Sequence, residues 1–390
     1  MSLPNIKAID LMEEPLVIAF PETKVGEIVS KMKEYNQRVA PVINNAGYLL
    51  GVVSLRRIME SGVGNQSRVT RVMEPPYYLL INADFTTIIA RFVLWKAKAI
   101  PVVNESRFLK GILRRENVLK YLHEARLLPR EPVEKYMSTP AIVIKESESI
   151  ARARWLMIRN GISRLPVVEN DNNRLTGVIS MIDIAEKLYR IRLTRRRGFE
   201  QFEEEFLAAP VKDFMSVPPI DITRNASLDD AVKLLLEYNI SGLPVTENQL
   251  VVGVISGIDI MRAYAKQLEV RMPIEAKIPD DVSDLSKIAI ERLITNHIAR
   301  IGRSINIIDF KASIKSERKT KEKKEGRARY RVKIKLVTDI GMYTAEGIGW
   351  DPASATRDAL MALEKRIRKE LGRTLELHRI SKAKAMEEQS

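Results

Sequence analysis

The sequence predicts a mixed chain, α/β over its first two thirds and α+β over the rest. Four copies of one small α/β unit form two pairs, and a compact basic β-α-β-β-β-α domain follows. Three observations carry this. A Met precedes a Pro by 28 or 29 residues four times, at Met12 and Pro41, Met73 and Pro101, Met137 and Pro166, Met215 and Pro244. Each Pro is followed 9–11 residues later by a Gly that opens a second apolar run, at Gly51, Gly111, Gly177 and Gly253. Beyond Tyr264 the composition turns basic, with twelve Lys or Arg against three Glu between positions 311 and 335.

The bulk composition agrees. A chain of 390 residues, 45% hydrophobic and 29% charged, has length and apolar content for two or three packed domains and is neither disordered, collagenous nor a simple coiled coil. No window nears the roughly 18 apolar residues of a membrane span. Positions 1–15 show no secretory leader, so a cytoplasmic protein with no membrane partner is expected. Zero cysteines exclude disulfides, thiolate metal sites and cysteine nucleophiles. His123, His297 and His378 are too scattered to suggest a metal site, and no metal is expected. The net charge of +14 draws such a chain toward polyanions.

Each copy reads as strand, helix, strand, strand, helix. In the fourth, 220–222 is a short strand, and Ser227 caps a helix with Asp230 at the capping-box position. Leu228, Ala231, Leu234 and Leu235 give that helix one apolar face. Short strands at 244–246 and 251–255 flank a polar turn, and a closing helix starts at Gly257. A unit this small leaves a sheet face uncovered, so units pack in pairs.

These repeats resemble the cystathionine-β-synthase (CBS) domain, at 7–62, 67–125, 131–192 and 209–268. In that family two copies form a Bateman module whose cleft holds adenine nucleotides or related ligands, and modules pair through helix faces. The resemblance therefore implies a homodimer through the CBS modules, and AMP, ADP or ATP as a regulatory ligand with no required cofactor. It also implies a ligand motif in which a hydroxyl meets phosphate and an Asp holds the ribose diol, a pairing suited to a two-oxygen acceptor. Copies three and four keep it, as Gly177-Val-Ile-Ser180-Met-Ile-Asp183 and Gly253-Val-Ile-Ser256-Gly-Ile-Asp259. The alternative is that Asp183 and Asp259 only cap the closing helices. Copies one and two carry Arg56-Arg57 and Arg114-Arg115 instead, read either as a solvated helix start or as an anion-binding or RNA-facing surface. Copies three and four are joined by a charged stretch, 186–205, which includes Arg195, Arg196 and Arg197.

The last domain, 269–380 with a tail at 381–390, begins with an extended piece near 270–278 and a helix capped by Asp281 or Ser283. A strand at 305–316 has Ile308, Phe310, Ala312 and Ile314 inward and Lys311, Ser313 and Lys315 outward. After a charged tip at 317–326, Tyr330, Val332, Ile334 and Leu336 face inward and Arg329, Arg331, Lys333 and Lys335 outward. A third strand spans 342–350. Pro352 opens a closing helix whose buried stripe is Leu360, Leu363, Ile367 and Leu371, with Lys365, Arg366, Arg368 and Lys369 on its wet face. Rows of like charge on adjacent strands repel one another, and a bound polyanion relieves them. Candidate stacking aromatics are few, mainly Tyr343 and Trp350, which favours phosphate and shape recognition.

The basic hairpin, Ala345-Glu346-Gly347 and the run 351–369 resemble the ribosome hibernation-promoting factor domain. With four CBS units, the whole is similar to archaeal ribosome hibernation and dimerisation factors. The resemblance implies a partner in the small ribosomal subunit and its rRNA, whose functional channel the protein occludes. The double-stranded RNA-binding domain shares the α-β-β-β-α order but has a lysine cluster where Ser354-Ala-Thr-Arg357 stands. No Walker loop, dinucleotide fingerprint or catalytic triad pattern is readable, so no enzyme activity is expected. The alternative reading is a nucleotide-sensing CBS regulator acting on DNA, another RNA or a metabolic enzyme.

Overall fold

The structure is a computed structural model and describes residues 5–193, 199–268, 274–303, 305, 307–317, 329–338 and 340–387. Arg195, Arg196, Arg197 and most of the charged tip at 317–326 lie outside them, as do the side chains of Leu371 and His378. The chain divides into two compact units, 1–270 and 271–390.

The first unit repeats one pattern four times. Copy one comprises α1 (Ala8–Leu11), α2 (Val25–Glu34), β1 (Val39–Ile43), β2 (Leu49–Ser54) and α3 (Leu55–Ser61). Copy two comprises β3 (Leu79–Leu80), α4 (Phe85–Trp95), β4 (Ala99–Val103), β5 (Leu109–Arg114) and α5 (Arg115–Glu124). Copy three has β6 (Ile144–Lys145), α6 (Ile150–Asn160), β7 (Arg164–Val168), β8 (Leu175–Ser180) and α7 (Met181–Leu193), with α8 (Phe199–Ala208) following. Copy four has β9 (Ile222–Thr223), α9 (Leu228–Glu237), β10 (Gly242–Glu247), β11 (Leu250–Ser256) and α10 (Gly257–Gln267). In copies two to four the short first strand pairs parallel to the second, and the second and third form an antiparallel hairpin. In copy one the first strand shrinks to a single bridge, Ala19 to Val42. Ser227 and Asp230 form the expected reciprocal cap at the start of α9.

The recurring Met does not pack on its own copy. Met12 docks where a Cβ on Gly111 of copy two would sit, and Met73 docks on Gly51 of copy one. Met137 lies on Gly253 of copy four and Met215 on Gly177 of copy three. Each arm is held by backbone bonds to its partner's last strand, as in Glu13 N–H to Ile112 O at 2.9 Å and Ser216 N–H to Val178 O at 2.8 Å. Copies one and two thus exchange arms, as do three and four. The glycines are required because any side chain there fills the methionine's seat.

The two pairs then close on each other. Copy one sets α2 and α3 against α6 and α7 of copy three, and copy two sets α4 and α5 against α9 and α10 of copy four. Asn65 Nδ2 donates to Tyr189 O (2.8 Å), Arg154 to Met59 O (2.7 Å), and Phe85 meets Tyr264 edge-on at 5.8 Å. The helix faces expected to join two chains are joined within this one.

The second unit is the expected β-α-β-β-β-α: β12 (Ile274–Lys277), α11 (Asp284–Ile301), β13 (Ile307–Glu317), β14 (Arg329–Thr338), β15 (Gly341–Gly349) and α12 (Pro352–Glu387). Ser283, not Asp281, caps α11, accepting from Ser286 N at 3.3 Å. The sheet order is β12-β13-β14-β15, with β12 parallel to β13 and the rest antiparallel. Phe310, Ala312, Ile314, Val332, Ile334 and Leu336 are buried on one face, with Ile290, Ile294 and Ile298 of α11 and Leu360, Leu363 and Ile367 of α12. The alternation has one correction. A register shift between Ile307 and Asp309 turns Ile308 outward and buries Ile307 in its place.

Gly347 is where α12 comes closest to the sheet: a Cβ there would run into the backbone carbonyl of Ala355. Backbone cannot yield as a side-chain tip does. Gly347→Ala is therefore expected to destabilise this domain by about 3 kcal/mol. An unchanged denaturation midpoint would show that α12 does not rest on β15.

Candidate nucleotide site and nucleic-acid interface

The two Ser-x-x-Asp turns sit where a strand runs straight into its closing helix. Ser256 and Asp259 form a capping box at the start of α10. Asp259 Oδ2 accepts from Ser256 N–H at 3.0 Å and from its hydroxyl at 2.5 Å, and Oδ1 takes Arg262 at 3.1 Å. Asp259 is only 8% exposed. Asp183 accepts from the Ser180 hydroxyl and pairs through Oδ1 with Lys33 Nζ at 2.9 Å. Lys33 belongs to α2 of copy one, so this carboxylate bridges the two pairs. Both carboxylates thus do the capping work of the alternative reading and also face the seam between pairs. Gly177 and Gly253 do not reach that seam; they accommodate Met215 and Met137.

The sequence reading missed the cations gathered at the same seam. Arg38 ends the turn into β1, Lys98 the turn into β4, and Arg164 opens β7. Counted back from the repeat's Pro they stand two or three residues upstream, a signal visible once the copies are aligned on Pro41, Pro101 and Pro166. Arg115, expected at a solvated or RNA-facing helix start, is buried instead; it donates to Ala97 O at 2.5 Å and lies on Gly257. These groups share one electrostatic neighbourhood with Glu116, Asp183 and Asp259. Burial brings the Arg115 and Arg164 guanidiniums down to about 10, while carboxylates nearby pull the other way. Burial, then Arg115, drives the Lys98 ammonium well below the usual lysine range. Arg164 spans to copy four, donating to Gly242 O at 2.9 Å. The Nε atoms of Arg115 and Arg164 are buried with no partner among the described residues. Buried donors without acceptors, on cations that depress one another, make a site suited to an anion.

The N-terminal pair has closed its equivalent cleft with its own carboxylates. Glu13, on the arm that crosses to copy two, ion-pairs with Arg114 and accepts from Asn117 Nδ2 at 3.0 Å. Glu74, on the opposite arm, accepts from the Ser54 hydroxyl at 2.8 Å. The same arm position is Ser138 and Ser216 in the C-terminal pair. Arg114 therefore has its anion within the chain, Arg56 lies 3.4 Å from Glu60, and Arg57 alone of the four is exposed.

On the second unit, the register sets Lys311 opposite Lys335 and Lys315 opposite Arg331, with Lys333 beside Ser313. All face away from the helices. Arg331 is answered by Glu346 on β15, and Asp309 lies 3.8 Å from Lys311, so the face is less uniformly positive than the alternation suggested. The α12 cations do not extend this surface. Their helix packs on the inner face, which leaves Lys365, Arg368 and Lys369 exposed on the helix layer. Arg366 donates to Thr344 O, at the open edge of β15, where it covers an unpaired strand carbonyl. Among the described residues no His/Cys/Asp/Glu cluster is placed to hold a metal ion, and no helix is long and apolar enough to cross a membrane.

Comparison with known proteins agrees with this division. The CBS domain model matches residues 7–64, 133–190 and 211–266, and the model of the hibernation factor Hib, C-terminal domain, matches 278–388. Uncharacterized protein MJ1404 of Methanocaldococcus jannaschii is 25% identical over 87% of this chain and 80% of its own length. Uncharacterized protein MJ1225 of the same organism is 32% identical over 36% of this chain and 51% of its own. The crystal structure of MJ1225 superposes on 67% of this chain and all of its own with a TM-score of 0.59 at 21% identity, which shows a shared fold. Copy two, which no family match covers, has the same order of elements as the other three. The chain is thus a protein of CBS domains followed by a hibernation factor Hib C-terminal domain.

Proposed function

We propose that the chain is a non-enzymatic regulator that binds the small ribosomal subunit through the outer sheet face of its second domain and responds to adenine nucleotide held at the seam of its first. The observation that carries the ribosomal half is the Hib C-terminal domain together with its cationic outer rows. Lys311, Lys315, Arg329, Lys333 and Lys335 meet rRNA phosphates, and their placement on one face suits occlusion of the subunit's functional channel. Lys365, Arg368 and Lys369 form a separate, weaker contact edge.

At the seam, the ribose lies on Asp183 or Asp259 and the phosphates on Arg38, Lys98, Arg115 and Arg164, which supply the acceptors that the buried Nε atoms lack. A ribose taken up by Asp183 competes with Lys33, so occupancy loosens a link between the two pairs. This couples ligand to the packing of the first domain. Sucrose-gradient sedimentation of a lysate tests the main claim: co-migration with small subunits supports it, whereas a free or DNA-associated pool overturns it. Because the helix faces are closed within one chain, light scattering at micromolar concentration is expected to give a monomer. A dimer would place the contact on another surface.

A further inference from the structure

The outer sheet face has a second zone beside its cations. Gly347 and Gly349 turn toward α12, where an added Cβ would meet Ala355. The alternation along β15 therefore sends Met342, Thr344, Glu346 and Ile348 to the outer side, and Trp350 follows on the same parity. Met342 is 62% exposed, Ile348 37% and Trp350 65%, on a face with no helix over it. Ile348 stands directly across from Arg331, and Met342 from Val337. Tyr330 and Gly349 are the last paired residues, which leaves Trp350 beside the position of Arg329. An apolar strip ending in an open indole thus runs one strand away from a row of cations.

Resting on the reading of this face as an RNA contact, we propose that it takes an unpaired RNA segment, with backbone phosphates over the β13 and β14 cations and a base stacked on Trp350. Charge complementarity selects the ligand and the spacing selects its form. Neighbouring strands lie about 4.8 Å apart, close to the offset between a nucleotide's phosphate and its base. A duplex keeps its bases inside and offers phosphates alone, so it leaves the strip wet. A splayed single strand covers both zones, as stacking platforms in other single-strand binders do. Exposure of the indole fits a ligand-facing role, since nothing in its own domain packs over it.

The test uses the full-length chain and fluorescence anisotropy with a labelled single-stranded oligoribonucleotide of about 20 bases and its duplex. The wild type is expected to prefer the single strand. Trp350→Ala is expected to weaken single-strand binding roughly 5- to 150-fold, the range of one stacked base, with no change in salt dependence because no charge is lost. Trp350→Phe is expected to recover most of that loss. Equal binding of both RNAs, or single-strand affinity untouched in Trp350→Ala, overturns the stacking proposal and leaves the phosphate contact standing. Binding of neither RNA overturns the RNA reading of the face as well. Loss of small-subunit binding in Trp350→Ala with oligonucleotide binding intact also overturns it, and assigns the strip to a ribosomal protein.

Discussion

Reversing Arg329, Arg331, Lys333 and Lys335 together to Glu is expected to abolish binding to the small ribosomal subunit, with affinity falling by at least about 10³-fold at physiological salt. Each lost phosphate contact flattens the log–log salt slope by about 0.7–0.9, so the residual slope counts how many contacts the face makes. The variant keeps its core, because Tyr330, Val332, Ile334 and Leu336 alternate with the substituted positions. Arg331 already has Glu346 as a partner, and reversing it sets two carboxylates together. A companion variant with only Lys333→Glu and Lys335→Glu leaves that ion pair in place and is expected to show about half the change in slope. Nucleotide binding by the first domain should be untouched in both. A folded tetra-variant that still pellets with small subunits at moderate salt would reduce the rows to a solvated face.

The second large effect is expected at the seam. Asp183→Ala with Asp259→Ala removes both ribose acceptors, each worth roughly 1.5–3 kcal/mol as a charge-assisted bond, and calorimetry should record a loss of about 10²-fold or more for AMP, ADP and ATP alike. Because Asp259 also caps α10, that result alone does not separate ligand contact from local structure. Arg164→Met does. It leaves both capping turns intact, and it is expected to weaken every phosphorylated ligand by about tenfold or more while leaving adenosine unchanged. Stability without ligand should hold or rise, since an incompletely partnered buried guanidinium is replaced by an apolar chain of similar reach. Unchanged AMP affinity in Arg164→Met would remove the cation cluster from the site. Failure of any adenine nucleotide to bind the wild type would remove the site itself.

Local order was legible because it is written in short periods. The fourfold Met–Pro–Gly spacing, the Ser227–Asp230 cap, the strict alternation from Tyr330 to Leu336 and Pro352 at a helix start each depend on a few neighbouring residues, and those residues settle into the same geometry wherever the element is placed. What needed the tertiary structure were choices between partners that local pattern treats as equal. A Met 29 residues before a Pro is compatible with docking on its own copy or on its neighbour, and only closure of the pair sends Met12 to Gly111 and Met73 to Gly51. Arg114 and Arg115 are adjacent and identical in chemistry. One meets a carboxylate on a crossing arm and the other is buried among like charges, because successive positions at a helix start point in different directions. Lys365, Arg368 and Lys369 read as neighbours of the strand cations, yet their helix occupies the opposite layer of the domain. Burial, charge pairing and the company a side chain keeps are long-range properties, and a one-dimensional pattern has no term for the distance between residues as far apart as Lys33 and Asp183.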